Sequence, residues 1–141
     1  MNQVDAAIQI DALTLSFSTG GEAAQVLDAL SIEVLPGEIV GLIGESGSGK
    51  SVTASALLGL LPERGVHAAG SVKVLGEDLL GATEQRMQEI RGDRIAMIFQ
   101  EPMNALNPLL TIGDQLIGVV RRHQGISRRA AAQRARALLS D

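Results

Sequence analysis

The sequence predicts an α/β fold: an antiparallel β layer at the N-terminus, a strand–loop–helix unit within a partial parallel core sheet, and the start of a helical arm. Three observations point there. Apolar and polar residues alternate over residues 8–17 and 26–35, the period of half-buried strands. A short apolar run, a glycine-rich octet and a second apolar run follow one another over residues 39–61. From Thr111 onward the apolar spacing becomes helical.

Taken in order, Ile8, Ile10, Leu13, Leu15 and Phe17 form the inward side of a strand that slips near Asp11. Ser18, Thr19, Gly20 and Gly21 are turn residues, and Leu30, Ile32 and Val34 resume the strand pattern, so residues 1–36 suggest the β layer. After the Pro36–Gly37 turn, residues 39–43 (IVGLI) read as a buried strand, and residues 51–61 (SVTASALLGLL) as a helix stopped by Pro62. Gly65 and Gly70 mark another turn; residues 71–75 (SVKVL) are a short strand ended by Gly76. Thr83 caps a helix running through Arg91, with Arg86 and Arg91 placed late, where the helix dipole favours cations. Residues 94–99 read as a second buried strand, closed by Gln100, with Phe99 in the core. Pro102 and Pro108 break the chain into a loop. In the helical remainder Thr111 or Ser127 can cap, and Ala131, Ala135, Leu138 and Leu139 lie on one apolar stripe. No internal repeat or low-complexity segment occurs. The last helix has no capping glycine or proline behind it, so an interruption at Asp141 is expected.

Composition narrows the chemistry. With 141 residues, 45% hydrophobic and 20% charged, the chain can build one modest core, chiefly from Ala, Leu, Ile and Val, because Phe17 and Phe99 are its only aromatics. The absence of cysteine excludes disulfides, thiolate metal sites and a cysteine nucleophile. A net charge of −4 gives no general attraction for nucleic acid or acidic lipid. Arg121, Arg122, Arg128, Arg129, Arg134 and Arg136 form a late basic run, read first as a solvated helix face. His67 and His123 lack any partner pattern for metal binding or base catalysis. No apolar run approaches a membrane span, and no signal-peptide pattern opens the chain, so any work at a membrane is expected from its water side.

The octet Gly44, Glu45, Ser46, Gly47, Ser48, Gly49, Lys50 and Ser51 fits G-x-x-x-x-G-K-[ST], a phosphate-binding loop. Its glycines let successive amides converge on phosphate oxygens, Lys50 supplies a cation for the β- and γ-phosphates, and the Ser51 hydroxyl is a candidate Mg²⁺ ligand. The following helix, entered through Val52, turns its positive end toward the same anion. The glycine spacing does not fit the G-x-G-x-x-G turn of dinucleotide-binding folds. Glu45 stands at a freely variable position and is not expected to be a catalytic base.

A second constellation narrows the class. GESGSGKS, followed by RIAMIFQEPMNALNP at residues 94–108, resembles the ATP-binding subunit of an ABC transporter, most closely in the oligopeptide, dipeptide and nickel importer branch. The resemblance implies an ABC ATPase core over residues 1–110 and the start of the helical subdomain over 111–141. Residues 44–51 would be the Walker A loop, and Gln100 the glutamine that approaches Mg²⁺ and the attacking water. Phe17 would stack on adenine where many members carry tyrosine. The resemblance also implies ATP and Mg²⁺ as cofactors, a head-to-tail dimer of ATP-binding subunits, membrane permease partners, an extracellular solute-binding protein acting indirectly, and no nucleic acid. Such a protein works peripherally at the cytoplasmic face of the inner membrane. The family's signature sequence, its Walker B aspartate–glutamate pair and its switch histidine are not found, so no catalytic residue is assigned and the 141 residues alone are expected not to hydrolyse ATP. Residues 18–22 precede the loop and do not qualify as the signature; Gln100 stands where residues 95–101 would need an aspartate to be Walker B. A soluble ABC ATPase of DNA repair or translation, and an inactive truncated fragment, are the alternatives.

Overall fold

The computed structural model describes residues 5–19, 22–62, 64–101 and 105–140; the expected turn at Gly20 and Gly21, residues 102–104 and Asp141 lie outside them. Two compact units result, Met1–Ala96 and Met97–Asp141.

In the first unit, β1 (Ile8–Thr19) pairs antiparallel with β2 (Glu22–Val34) on one side and β3 (Val66–Val74) on the other. A short β4 (Glu77–Asp78) completes the order β2-β1-β3-β4. The alternation seen in the sequence puts Ile10, Leu13, Leu15, Leu27 and Val72 into the core, joined by Ala56 from the helix α1 (Lys50–Leu57). Each large side chain so buried contributes about 1.5–3 kcal/mol.

The slip near Asp11 is a bulge. Register breaks between Ile10 and Leu13, and Ala12 takes φ +46°. Ala29, on β2, takes φ +45°. Hydroxyls from the facing strands satisfy the displaced donors: the Ala12 amide donates to Ser31 Oγ (3.0 Å) and the Ala29 amide to Thr14 Oγ1 (3.1 Å). Gly70 is not a turn residue. It lies inside β3 at φ +102°, where a Cβ would sit 2.6 Å from the carbonyl oxygens of both Asp11 and Ala12. The expected turn is at Gly65 (φ +72°) alone, and the strand runs on past Gly70 because glycine fits against the bulge.

Helix α1 also ends earlier than expected. Gly59 (φ +59°) stops it before Pro62, with the Gly59 amide donating to Ala56 O (3.1 Å) and the Leu60 amide to Ser55 O (2.8 Å), a Schellman motif. Helix α2 (Glu84–Ile90) starts as expected, with Thr83 Oγ1 accepting from the Arg86 amide. Arg86 therefore belongs to the first turn, not the last. Its guanidinium binds Glu77 through Nε and Nη2, both at 2.7 Å, and Glu89 through Nη1 at 2.6 Å. Val74, Leu79, Met87 and Ile90 form a second core cluster beneath this hub.

Residues 39–43 and 94–99 depart from expectation, because neither joins a ladder. Parallel pairing among the described residues is limited to one bridge, Arg91 with Ile95. Ile39, Ile43 and Ile98 are 98%, 95% and 94% exposed, and Phe99, expected in the core, is 49% exposed. A strand apolar on both sides is stable only between two neighbouring strands, with layers above and below. Such neighbours are not among the described residues.

In the second unit, helices α3 (Ile112–Gln124) and α4 (Arg128–Leu138) pack together, and Val120, Ala131 and Ala135 are their buried residues. Thr111 and Ser127 both cap, and Gly125 (φ +62°) separates the helices. Leu138 and Leu139 are exposed rather than on the buried stripe. The six late arginines are exposed as well; Arg128 pairs with Asp114 at 2.6 Å.

The Glu77–Arg86 pair predicts an acid response. Hydrogen bonds from Arg86 hold the Glu77 carboxyl below its ordinary range, and a hydrogen bond from Arg91 does the same for Glu84. A depressed folded pKa gives stability that is complete above the unfolded value of about 4.3 and lost as pH falls through the folded value. The melting temperature should therefore fall on acidification below about pH 4.5, and Glu77→Gln should flatten that limb. An acid limb of unchanged slope in Glu77→Gln would exclude the pair as its source. Solvent exposure keeps the effect modest.

Candidate phosphate-binding site

The octet forms a tight loop leading into α1. Ser46 and Gly47 make the turn, the Ser48 amide donates to Glu45 O at 3.2 Å, and Gly47 and Gly49 take φ +84° and +90°. Those angles favour glycine for steric reasons. At Gly49 the demand is doubled, since a Cβ there would lie 2.5 Å from Leu27 Cδ2 and 3.3 Å from Val26 O. The loop thus rests directly on β2. Gly44 is similarly tied, because a Cβ would meet Ser48 Oγ at 2.5 Å.

Lys50 folds back over this loop. Its ammonium donates to Gly44 O (2.8 Å), Glu45 O (2.5 Å) and Ser48 Oγ (3.1 Å), using all three protons. Glu45 contributes its backbone carbonyl to this contact. Thr53, one turn on and 3% exposed, donates from Oγ1 and from its amide to Gly49 O, at 3.0 and 2.8 Å, and so pins the first turn to the loop.

The residues fit a polyphosphate. Gly49 at the N-cap has no side chain to accept from the leading amides, and no acidic residue occupies the first turn. The opening amides of a helix have no intrahelical partner, and the dipole adds positive potential there. Val26, Gly47, Ser48, Gly49, Lys50, Ser51 and Val52 line a concavity of about 120 Å³ at this end. Ser51 is exposed and Val52 half-buried against the core. Among the described residues no group of three or more His, Cys, Asp or Glu side chains could hold a metal. A divalent cation here would rely on hydroxyl, amide, water and phosphate oxygens, the donor set suited to Mg²⁺.

The other site candidates lie elsewhere. Phe17 is on β1 opposite Ala24 and Val66, half-buried and packed on the core that contains Leu15. Gln100 belongs to the second unit, where with Phe99, Glu101 and Ala105 it lines a concavity of about 510 Å³. Sequence reasoning missed Val26 and Leu27, whose roles come from the loop packing on β2, and Thr53, whose bonds to Gly49 O are local and whose place at the fourth helical position offered a hint. It also missed Arg91, the C-cap of α2, whose guanidinium reaches Leu58 O and Gly59 O at the end of α1.

Comparison with known proteins agrees with this geometry. Residues 27–141 match the family described as ABC transporter. The chain is 49% identical over 136 residues to the probable D,D-dipeptide transport ATP-binding protein DdpD of Escherichia coli K12, covering 95% of this chain and 41% of DdpD. It is 45% identical over 132 residues to a putative peptide import ATP-binding protein of Brucella melitensis, covering 94% of this chain and 40% of that protein. With the oligopeptide transport ATP-binding protein OppD of Mycobacterium tuberculosis it shares 41% over 133 residues, 94% of this chain and 22% of OppD. The chain thus spans about two-fifths of the length of the first two relatives. Among solved structures, the ATP-binding cassette MJ0796, a dimer in a post-hydrolysis state bound to ADP and Pi, superposes with a TM-score of 0.76 at 22% identity, covering 94% of this chain and 56% of that one. The chain therefore belongs to the ABC transporter family and has the fold of its ATP-binding cassettes.

Proposed function

We propose that this chain is the nucleotide-binding part of an ATP-binding subunit that energises an ABC importer for peptides, dipeptide or oligopeptide, or related solutes such as nickel. One observation supports it above the others: Lys50 and three glycines are arranged around the uncapped start of α1. The dipeptide, peptide and oligopeptide relatives support peptides as the first substrate class to test.

In this reading residues 1–110 are part of the ATPase core and 111–141 begin its helical subdomain. The amides of residues 46–52 (Ser46, Gly47, Ser48, Gly49, Lys50, Ser51 and Val52) receive the phosphates, with Gly44 and Glu45 holding the loop's shape. Lys50 exchanges its loop acceptors for β- and γ-phosphate oxygens. The Ser51 hydroxyl would hold Mg²⁺ in the first unit; Gln100, in the second, keeps the Mg²⁺-ligand role that the family resemblance implies for it, and Phe17 offers a π face to adenine. Mg²⁺ held at Ser51 would supply charge stabilisation for the transferred phosphoryl group. Hydrolysis coupled to transport, pairing with a second ATP-binding subunit, and docking on permease subunits at the cytoplasmic face of the membrane are proposed for the family-length protein.

The family resemblance also gives the loop at Gln100 the part of coupling nucleotide state to the membrane subunits, and Gln100 provides the test of it. In the intact importer Gln100→Ala is expected to keep Mg-ATP affinity within about twofold, because water can take the place of one exposed neutral amide on Mg²⁺, while transport falls by more than about tenfold. Full transport by that variant would count against the role.

A further inference from the structure

The phosphate loop rests on β2 and leads into α1, and the far end of α1 is held by a residue the loop chemistry does not involve. Arg91 donates from Nε to Leu58 O at 2.7 Å and from Nη2 to Gly59 O at 2.9 Å, the two carbonyls just beyond the last turn of α1. Its remaining nitrogen, Nη1, is fixed by Glu84 Oε1 at 2.8 Å, and its own amide donates to Met87 O at 2.8 Å. The side chain is 23% exposed, and Gly59 lies so close that a Cβ there would be 3.4 Å from Nη2.

We infer that Arg91 is a positioning residue for the nucleotide site, acting through α1. The role rests on the nucleotide reading above. Helix α1 has eight residues, about 12 Å at 1.5 Å per residue, so it behaves as one short rod. Fixing its carbonyl end sets the direction in which its leading amides point at the other. The guanidinium also compensates the negative end of the dipole, which favours the helix in this position. A planar fork of donors suits two adjacent carbonyls and a carboxylate at once; a lysine ammonium cannot reproduce that geometry. Glu84 has a subsidiary part, holding the third nitrogen without touching α1.

Two variants separate this role from general stability, because both lose the Arg91–Glu84 ion pair but only one loses the hold on α1. Mg-ATP is titrated into the 141-residue chain, with affinity corrected for the folded fraction, and the amide resonances of Gly47, Gly49 and Lys50 are followed without nucleotide. Arg91→Gln should weaken Mg-ATP by about tenfold or more and move those resonances, whereas Glu84→Gln should stay within about twofold and leave them in place. Arg91→Lys, with its charge but not its fork, should fall between. Wild-type affinity in folded Arg91→Gln, or equal losses in Arg91→Gln and Glu84→Gln, would overturn the assignment. Where Arg91→Gln does not fold, Arg91→Lys decides: a loss of about threefold or more supports the role and wild-type affinity refutes it. A wild-type chain that binds no Mg-ATP refutes the nucleotide reading itself, and this role with it.

Discussion

Lys50→Ala is expected to weaken Mg-ATP binding by at least about a hundredfold, close to 2.8 kcal/mol at 1.4 kcal/mol per decade. The ammonium is the only cationic side chain in the octet, and its three protons already converge on loop oxygens at 2.5–3.1 Å. Hydrogen bonds to charged groups contribute about 1.5–3 kcal/mol each, so losing the lysine's contact with a phosphate accounts for the whole change. The same substitution should alter ligand-free stability little. Its present contacts are exposed, and water replaces the donor at Gly44 O, Glu45 O and Ser48 Oγ. Equilibrium titration alongside a thermal melt checks both halves. Unchanged affinity would remove the phosphate-loop assignment, while a large drop in melting temperature would recast Lys50 as a structural clasp.

Gly70→Ala should damage the sheet more than any other single methyl. Two penalties act together. An L side chain at φ +102° is strained by about 1–3 kcal/mol, and a Cβ 2.6 Å from two carbonyl oxygens forces backbone apart, costing a further 1–3 kcal/mol or so. Those oxygens belong to Asp11 and Ala12, at the bulge of the central strand, so neither can turn aside like a flexible side chain. A combined loss of about 2–6 kcal/mol compares with a total stability of about 5–15 for an ordinary domain. Chemical denaturation of the variant should show a sharply lower midpoint. A midpoint within error of the wild type would mean that the bulge is not held in the folded chain.

Local patterns in the sequence were legible where local physics decides the outcome. Alternation at Ile8, Ile10, Leu13 and Leu15 gave β1, and the break near Asp11 appears as the bulge at Ala12. Thr83, Thr111 and Ser127 cap as their chemistry dictates. The glycine octet gave the loop, since φ and charge requirements are written residue by residue. What the sequence hid depends on distant partners. Gly70 looks like a turn until the strand against it is known to bulge; Gly59, by contrast, ends α1 through local bonds, and was hidden only because Pro62 is the stronger stop signal. Arg86 and Arg91 read as dipole partners of their own helix, yet they bind Glu77 and the end of α1 respectively. Residues 39–43 and 94–99 have the composition of buried strands, but composition cannot supply neighbours.

That last feature affects how the molecule behaves in company. Ile39 and Ile43, turned almost wholly to water on a stretch that joins no ladder, make an adhesive edge in the first unit, and Ile98 is equally exposed in the second. Residues 39–43 lead straight into Gly44, so any chain that settles beside them also braces the entrance to the phosphate loop. Pairing at residues 39–43 is therefore expected to raise nucleotide affinity as well as order the strand.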